Sequence, residues 1–256
     1  MPKNALIVGG STGIGLSTVR KLAANSFHVF VIHRDRRQDT ERLKAELDEL
    51  SSQYEVEIKA FNLDATNPDK IEAWLDEIST TFSEHFNLVL HAVSRGNLKP
   101  FVGEEGTLSA QDMALTIDAM GTNFHTWIAK LLDRKLISRG SRIVALTSEG
   151  NKKFWKGYGA VASAKATLEN IAKYLAVELA PKEITVNIIQ AGVTDTPSLR
   201  LIPGSDQLIS ETEERNPFGR MTTPEDVANF IYLLTMPEAG WVNGALIHVD
   251  GGEHLI

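Results

Sequence analysis

Val8-Gly9-Gly10-Ser11-Thr12-Gly13-Ile14-Gly15 follows an apolar burst at 5–8 and opens a helical pattern with Ile14, Val19, Leu22 and Ala23 on one face. A glycine-rich turn between a strand and a helix lets the backbone bend tightly and approach a pyrophosphate, which the helix N-terminus attracts. The plain alternative is a glycine-rich turn with no ligand. The turn's place on the first strand of a βαβ unit favours a dinucleotide, with Gly9, Ser11, Thr12, Gly13 and Ile14 as its contacts.

Outward from this turn, β-branched and apolar runs recur at 28–32, 56–61, 88–92, 142–147, 184–189 and 245–249. Helical patterns lie near 13–25, 38–53, 68–83, 110–137, 158–179 and 225–236. Most of the runs are continuous rather than alternating in polarity, as in strands buried on both faces. The alternation predicts an α/β fold: a single Rossmann-type, doubly wound parallel sheet of about seven strands with helices on both faces. No internal repeat or linker interrupts the 256 residues, so one domain over 1–256 is expected. The stretch 196–220, with three prolines and mixed polarity, is the least regular segment, either a lid over a pocket or a long surface loop.

Apolar residues make up 43% and charged ones 23%, which fits a soluble globular chain and excludes disordered, collagen-like and coiled-coil classes. Twenty-six Lys and Arg against thirty-three Asp and Glu leave a net charge of −7, an argument against nucleic acid or an anionic membrane surface as main partner. The absence of Cys rules out disulfides, a thiolate nucleophile and zinc-thiolate sites; no metal site is expected, and a cytoplasmic location fits. No apolar run approaches the ~18 residues of a membrane span. The opening burst is too brief for a signal peptide.

The second strand ends in Ile32-His33-Arg34-Asp35-Arg36-Arg37. Arginines at this point pair with a 2′-phosphate, so Arg34 and Arg36 favour NADPH over NADH. Asp35 keeps the NADH alternative open, and a solvated charged turn is the bland reading. Asp64, in Asn62-Leu63-Asp64-Ala65, either accepts from the adenine amino group or caps the next helix. His91, ending the fourth run, either faces the pocket or packs in the core.

The segment Tyr158-Gly159-Ala160-Val161-Ala162-Ser163-Ala164-Lys165 places a phenol seven residues before an ammonium. Seven residues make about two helical turns, so both side chains share a face if the helix includes Tyr158. Gly157 and Gly159 flank the tyrosine, and the alternative is that it stands just before the helix begins. Phe154 and Trp155 either line an acyl channel or cover the core. Lys152, Lys153 and Lys156 form a small basic cluster, suited to an acidic carrier or simply solvated.

Together these motifs resemble the short-chain dehydrogenase/reductase family over essentially the whole chain, from Ala5 to Val249-Asp250-Gly251-Gly252. Gly9, Gly13 and Gly15 match the family's glycine pattern, with Val8 where a Thr is common, and Asp64 matches its adenine-site Asp. Ordinary members place a Tyr four residues before the Lys, and Val161 occupies that position. The longer spacing from Tyr158 to Lys165 is similar to that of the enoyl-acyl-carrier-protein reductases of bacterial fatty-acid synthesis. His91-Ala92-Val93-Ser94, Ala191-Gly192-Val193-Thr194-Asp195-Thr196 and Asn216-Pro217-Phe218-Gly219-Arg220-Met221 resemble the same branch, most of all its short NADPH-using members. Ser148 stands at the position of a second active-site hydroxyl. The fourth-helix Asn of ordinary members is not clearly matched; Gly121 falls near that position and Asn123 two residues on.

The resemblance implies reduction of the C=C of a trans-2-enoyl thioester, on acyl carrier protein or CoA, with hydride from NADPH. Tyr158 would stabilise the developing oxyanion. Lys165 would hold the nicotinamide ribose and lower the phenol pKa. Cofactor contacts are further implied at Asp64, Ala65, His91, Ala92, Val193 and Thr196, the last two orienting the carboxamide. It also implies a homotetramer pairing the fourth and fifth helices, whose apolar stretches are 127–132 and 171–179. The rival readings are a ketone reductase with the same Tyr and Lys, and a non-catalytic dinucleotide sensor on the same fold.

Overall fold

The computed structural model describes residues 3–103 and 106–256. The strands are β1 (Lys3–Val8), β2 (Phe27–His33), β3 (Ile58–Asn62), β4 (Leu88–His91), β5 (Arg142–Ser148), β6 (Thr185–Ala191) and β7 (Leu246–Val249). They form one sheet in the order β3-β2-β1-β4-β5-β6-β7. Every pairing in it is parallel. All seven expected strands are present, each displaced by no more than two residues at either end. The order reverses between β1 and β4, and such a switch opens a crevice at the carboxyl ends of the strands.

The helices are α1 (Gly13–Ala23), α2 (Arg37–Tyr54), α3 (Pro68–Thr81), α4 (Ala110–Ile117), α5 (Asn123–Asp133), α6 (Gly159–Leu179), α7 (Ser205–Arg215) and α8 (Pro224–Leu233). Successive side chains of β1 feed different cores, because a strand alternates its faces. Leu6 and Val8 join Ile71, Trp127 and Leu168 on one side of the sheet. Ala5 and Ile7 join Val19, Leu22 and Ile231 on the other. Continuous apolar runs are therefore what a strand covered on both faces requires. Among the described residues no helix is long and apolar enough to cross a membrane.

Three expectations change. The single helix expected over 110–137 is broken by a π-helical turn at Asp118–Thr122. Gly121 in that turn lies against α6: a Cβ there would stand 3.0 Å from the Ala164 carbonyl oxygen. The stretch 127–132 is not free for subunit pairing, since Trp127, Ile128 and Leu131 are buried in the core. On α6, by contrast, Tyr174 and Val177 do face outward. Finally, 196–220 is no irregular loop: it holds a 3-10 turn at Leu199–Leu201 and the helix α7. Thr212 is the one fully buried residue of α7, so that helix has no apolar stripe to betray it.

Candidate active site

The carboxyl edge of the sheet opens into a cleft of about 790 Å³. Its first wall is the turn from β1 to α1. Gly9 has φ +97°, and a Cβ there would lie 2.7 Å from the Ala92 carbonyl oxygen. A Cβ on Gly15 would lie 2.0 Å from the Gly9 carbonyl oxygen, so turn, helix start and β4 end meet backbone to backbone. Thr12 caps α1 without a side-chain hydrogen bond, and the first turn carries no acidic residue. The positive end of the helix dipole is left bare beside Ser11, Thr12, Gly13 and Ile14, all of which line the cleft. A bare helix N-terminus with no room for side chains fits a pyrophosphate.

At the far end of this wall, Asp35 turns inward. Its carboxylate accepts from Ser11 Oγ at 3.0 Å and meets His33 Nδ1 at 2.9 Å. Arg34 lines the cleft and donates to Asp64 Oδ2 at 3.1 Å. Arg95, which also lines the cleft, donates to the same oxygen at 3.0 Å. Burial alone would raise the Asp64 pKa, but two hydrogen bonds from Thr66 and the Arg34 and Arg95 guanidiniums outweigh it and hold the carboxyl down at about 2. Asn67, not Asp64, caps α3. Arg36 does not join Arg34: it is exposed at the N-cap of α2 and is not among the residues lining the cleft.

Ala65 and Ala92 line the cleft, but His91 does not. Its ring packs on Phe124, and Nε2 pairs with Asn123 Oδ1 at 3.0 Å. Burial, against the Asn123 hydrogen bond and with help from Lys165, pushes the imidazole pKa down to about 4. The packed reading of this histidine is therefore the correct one. Asn123 in turn donates to the Ala65 carbonyl at 2.9 Å, which also accepts from Trp127 Nε1 at 3.0 Å. The buried pair thus steadies the loop that follows β3.

Tyr158 stands at the N-cap of α6, immediately before the helix. Gly150 makes space for it, since a Cβ there would lie 2.4 Å from the Tyr158 ring. The phenol oxygen is 3.0 Å from Ser148 Oγ at the end of β5. Lys165, 7% exposed, donates instead to the Leu146 carbonyl at 2.8 Å. Among the described residues no hydrogen bond joins phenol to ammonium. Burial pushes the Tyr158 pKa up, only partly offset by Ser148, so the expected lowering by Lys165 is not what this arrangement gives. Burial likewise pushes the Lys165 pKa down to about 8, against the nearby Glu169 carboxylate.

Opposite these groups, Val193 and Thr196 line the cleft. The Val193 N–H is already committed, to Glu253 Oε2 at 3.1 Å. Leu98, Met120, Val161, Leu199, Ile202 and Leu208 supply apolar lining, with Lys153, Glu211 and Arg215 also bordering the cleft. Phe154 is 91% exposed at the mouth and covers no core. Trp155 Nε1 donates to the Pro203 carbonyl at 3.1 Å, fastening the segment that leads into α7. The basic cluster is largely spoken for: Lys152 reaches Gln190, and Lys153 reaches the Ile256 carbonyl and Glu149. Arg95, Arg215 and Glu253 had no signal in the sequence beyond their charge.

Glycine turn, hydroxyl pair and buried lysine gathered at one switch point define a class of dinucleotide-dependent oxidoreductases. The chain belongs to the short-chain dehydrogenase/reductase family, and the family model described as Enoyl-(Acyl carrier protein) reductase matches residues 8–254. Among similar proteins, an enoyl-acyl-carrier-protein reductase (NADH) of Bacillus cereus is 31% identical, the match covering 84% of each chain. An enoyl-acyl-carrier-protein reductase (NADPH) of Staphylococcus aureus is 30% identical over the same shares. A tropinone reductase homologue of Arabidopsis thaliana is 30% identical over 97% of this chain and 92% of its own. A solved Bacillus cereus enoyl-acyl-carrier-protein reductase with NADP+ and an indole naphthyridinone superposes with a TM-score of 0.87 at 27% identity, covering 99% of this chain and 97% of its own. The protein is thus an oxidoreductase of the nicotinamide-dinucleotide type.

Proposed function

We propose that the protein reduces the carbon–carbon double bond of a trans-2-enoyl thioester, carried by acyl carrier protein or CoA, with NADPH as the reductant. The observation that carries this reading is the Tyr158 phenol at the head of α6, hydrogen-bonded to Ser148 in a cleft that also presents Leu98, Met120, Val161 and Leu199. A bound dinucleotide would supply a hydride for the β-carbon of the conjugated thioester, and a proton from solvent would complete the saturated product at the α-carbon. The chain's own groups manage the charge that then develops on the thioester oxygen. Tyr158, kept protonated by its burial, donates to that oxygen, and Ser148 orients the phenol. Lys165 and its carbonyl partner Leu146 form the floor on which the nicotinamide ribose would rest. Leu98, Met120 and Leu199 exclude water from the reacting carbons and accommodate the acyl chain.

Three residues favour NADPH. Arg34 and Arg95 converge at the adenine end of the cleft, while Asp35 is occupied by Ser11 and His33. Both guanidiniums share a single oxygen of Asp64 and keep further N–H groups for a 2′-phosphate. Assembly into a homotetramer is part of the same proposal, with exposed Tyr174 and Val177 of α6 available for contact.

The decisive measurement is oxidation of NADPH with crotonyl and acetoacetyl thioesters, on acyl carrier protein and on CoA. Turnover of the enoyl thioester is expected. The similarity to a tropinone reductase homologue favours the second reading, reduction of a ketone. Turnover of ketones alone would establish that reading in place of the first.

A further inference from the structure

Glu253 lies in the last turn of the chain, after the paired glycines that close β7, and it is 1% exposed. An isolated carboxylate in such a place is costly, and natural chains bury one only where it is paired. Its partners are specific. Oε2 accepts the Val193 N–H at 3.1 Å, and Oε1 accepts Arg215 Nη2 at 2.6 Å. The same guanidinium nitrogen reaches Glu149 Oε2 at 3.0 Å. Gly192 is shaped around this arrangement, for a Cβ there would lie 2.9 Å from Glu253 Oε2. One buried carboxylate thereby ties together the segment after β6, the end of α7, and the residue next to Ser148.

Each tied segment borders the cleft: Val193, Arg215 and Glu149 all line it, whereas Glu253 stands behind them. A residue needed only for packing there would be better served by an apolar side chain, since replacing a buried ion pair by hydrophobic groups is often neutral or stabilising. We infer that Glu253 is a positioning residue for the nicotinamide half of the cofactor site, fixing the Gly192–Val193 backbone and, through Arg215, holding α7 in register with it. This rests on the cofactor reading but not on the choice of substrate. Burial, with a smaller push from Glu149, raises the Glu253 carboxyl pKa, and the Val193 N–H and Arg215 offset that only in part.

The test compares binding of NADPH and NADH with binding of ADP-ribose and its 2′-phosphate, which lack only the nicotinamide, by titration calorimetry. Glu253→Ala should weaken the preferred dinucleotide about tenfold, the scale of one lost hydrogen bond to a charged group, and leave its ADP-ribose counterpart within about twofold. Glu253→Gln, which keeps an oxygen for the Val193 N–H, should recover most of the loss. Arg215→Met decides the matter if Glu253→Ala does not fold: it should weaken the dinucleotide about threefold and spare the counterpart, because the carboxylate stays but loses its anchor. Equal weakening of both ligands, or of neither, overturns the inference alone. If the unaltered protein bound no dinucleotide, the cofactor reading would fall and this inference with it.

Discussion

The ammonium of Lys165 donates to the main-chain carbonyl of Leu146, 2.8 Å away on the neighbouring strand β5. The helix that carries the lysine begins beside Tyr158, yet the charge is spent on the sheet and not on the phenol. Both groups are buried, and burial acts on them in opposite directions: it raises the phenol pKa and lowers that of the ammonium. The two residues that a family resemblance pairs together are thus electrostatically separate before any ligand arrives.

The lysine gives a pH signature. Its folded pKa of about 8 lies below the ordinary 10.5, so between those values the unfolded chain holds a proton that the folded chain has released. Stability contributed by this group therefore rises as pH rises from about 8 toward 10.5. Cofactor binding should move the other way, with KM for the dinucleotide rising above pH 8 as the ammonium discharges. Urea unfolding at pH 7, 9 and 10 should show the wild type gaining on Lys165→Met as pH rises. Parallel curves would contradict the assignment.

The phenol predicts a rate effect. Tyr158 stays protonated at neutral pH and can donate, so Tyr158→Phe should lower kcat by about 10²–10³ with little change in KM, as for loss of an oxyanion donor. Ser148→Ala only frees the phenol to rotate and should cost about tenfold. Steady-state rates with a crotonyl thioester measure both, and unchanged turnover of Tyr158→Phe would remove the phenol from the mechanism.

The sheet was legible because its strands are covered on both faces and read as unbroken apolar runs; Leu88 to His91 is wholly buried. The glycine turn was legible because close backbone approach leaves no alternative residue at Gly9 or Gly15. What stayed hidden depends on contacts between distant segments. Arg95 is a lone arginine until β3 and β4 bring it to Asp64, and Glu253 is a terminal charge until the chain folds it against Val193. Arg36 misled for the opposite reason: sequence adjacency to Arg34 does not fix direction, and the chain turns into α2 at that residue. Tyr158 had two readings in the sequence, and the start of α6 at Gly159 selects the one before the helix.

Gly15 offers a test of the fold at the cofactor turn. A Cβ at this position would be 2.0 Å from the Gly9 carbonyl oxygen, which is main chain and cannot swing away. Gly15→Ala should therefore cost at least about 1–3 kcal/mol, the range for overpacking, and lower Tm by several degrees. Gly219→Ala is the control: φ there is +64° and nothing lies within 4 Å, so only the backbone preference is lost. Thermal melts of the two variants compare them directly, and a smaller drop for Gly15→Ala would contradict the packing described.

Arg34 and Arg95 share a single oxygen, Asp64 Oδ2, at 3.1 Å for Arg34 and 3.0 Å for Arg95. That sharing makes a prediction sharper than the loss of a phosphate contact. One guanidinium is neutralised by the ionised Asp64, so the pair offers a net single positive charge to a 2′-phosphate. Removing either arginine cancels that net charge, and removing the second leaves the Asp64 carboxylate unpaired, so each step takes away one positive charge. Arg34→Ala and Arg95→Ala should each raise KM for NADPH about tenfold, in the range of a charge-assisted hydrogen bond, while KM for NADH moves less than about twofold. The double variant should lose at least the product of the two single effects, because the unpaired Asp64 carboxylate would then repel the phosphate. KM values for both dinucleotides across the four proteins measure this. A double loss well short of the product would contradict this charge balance, and equal effects on NADH would mean that neither arginine reads the phosphate.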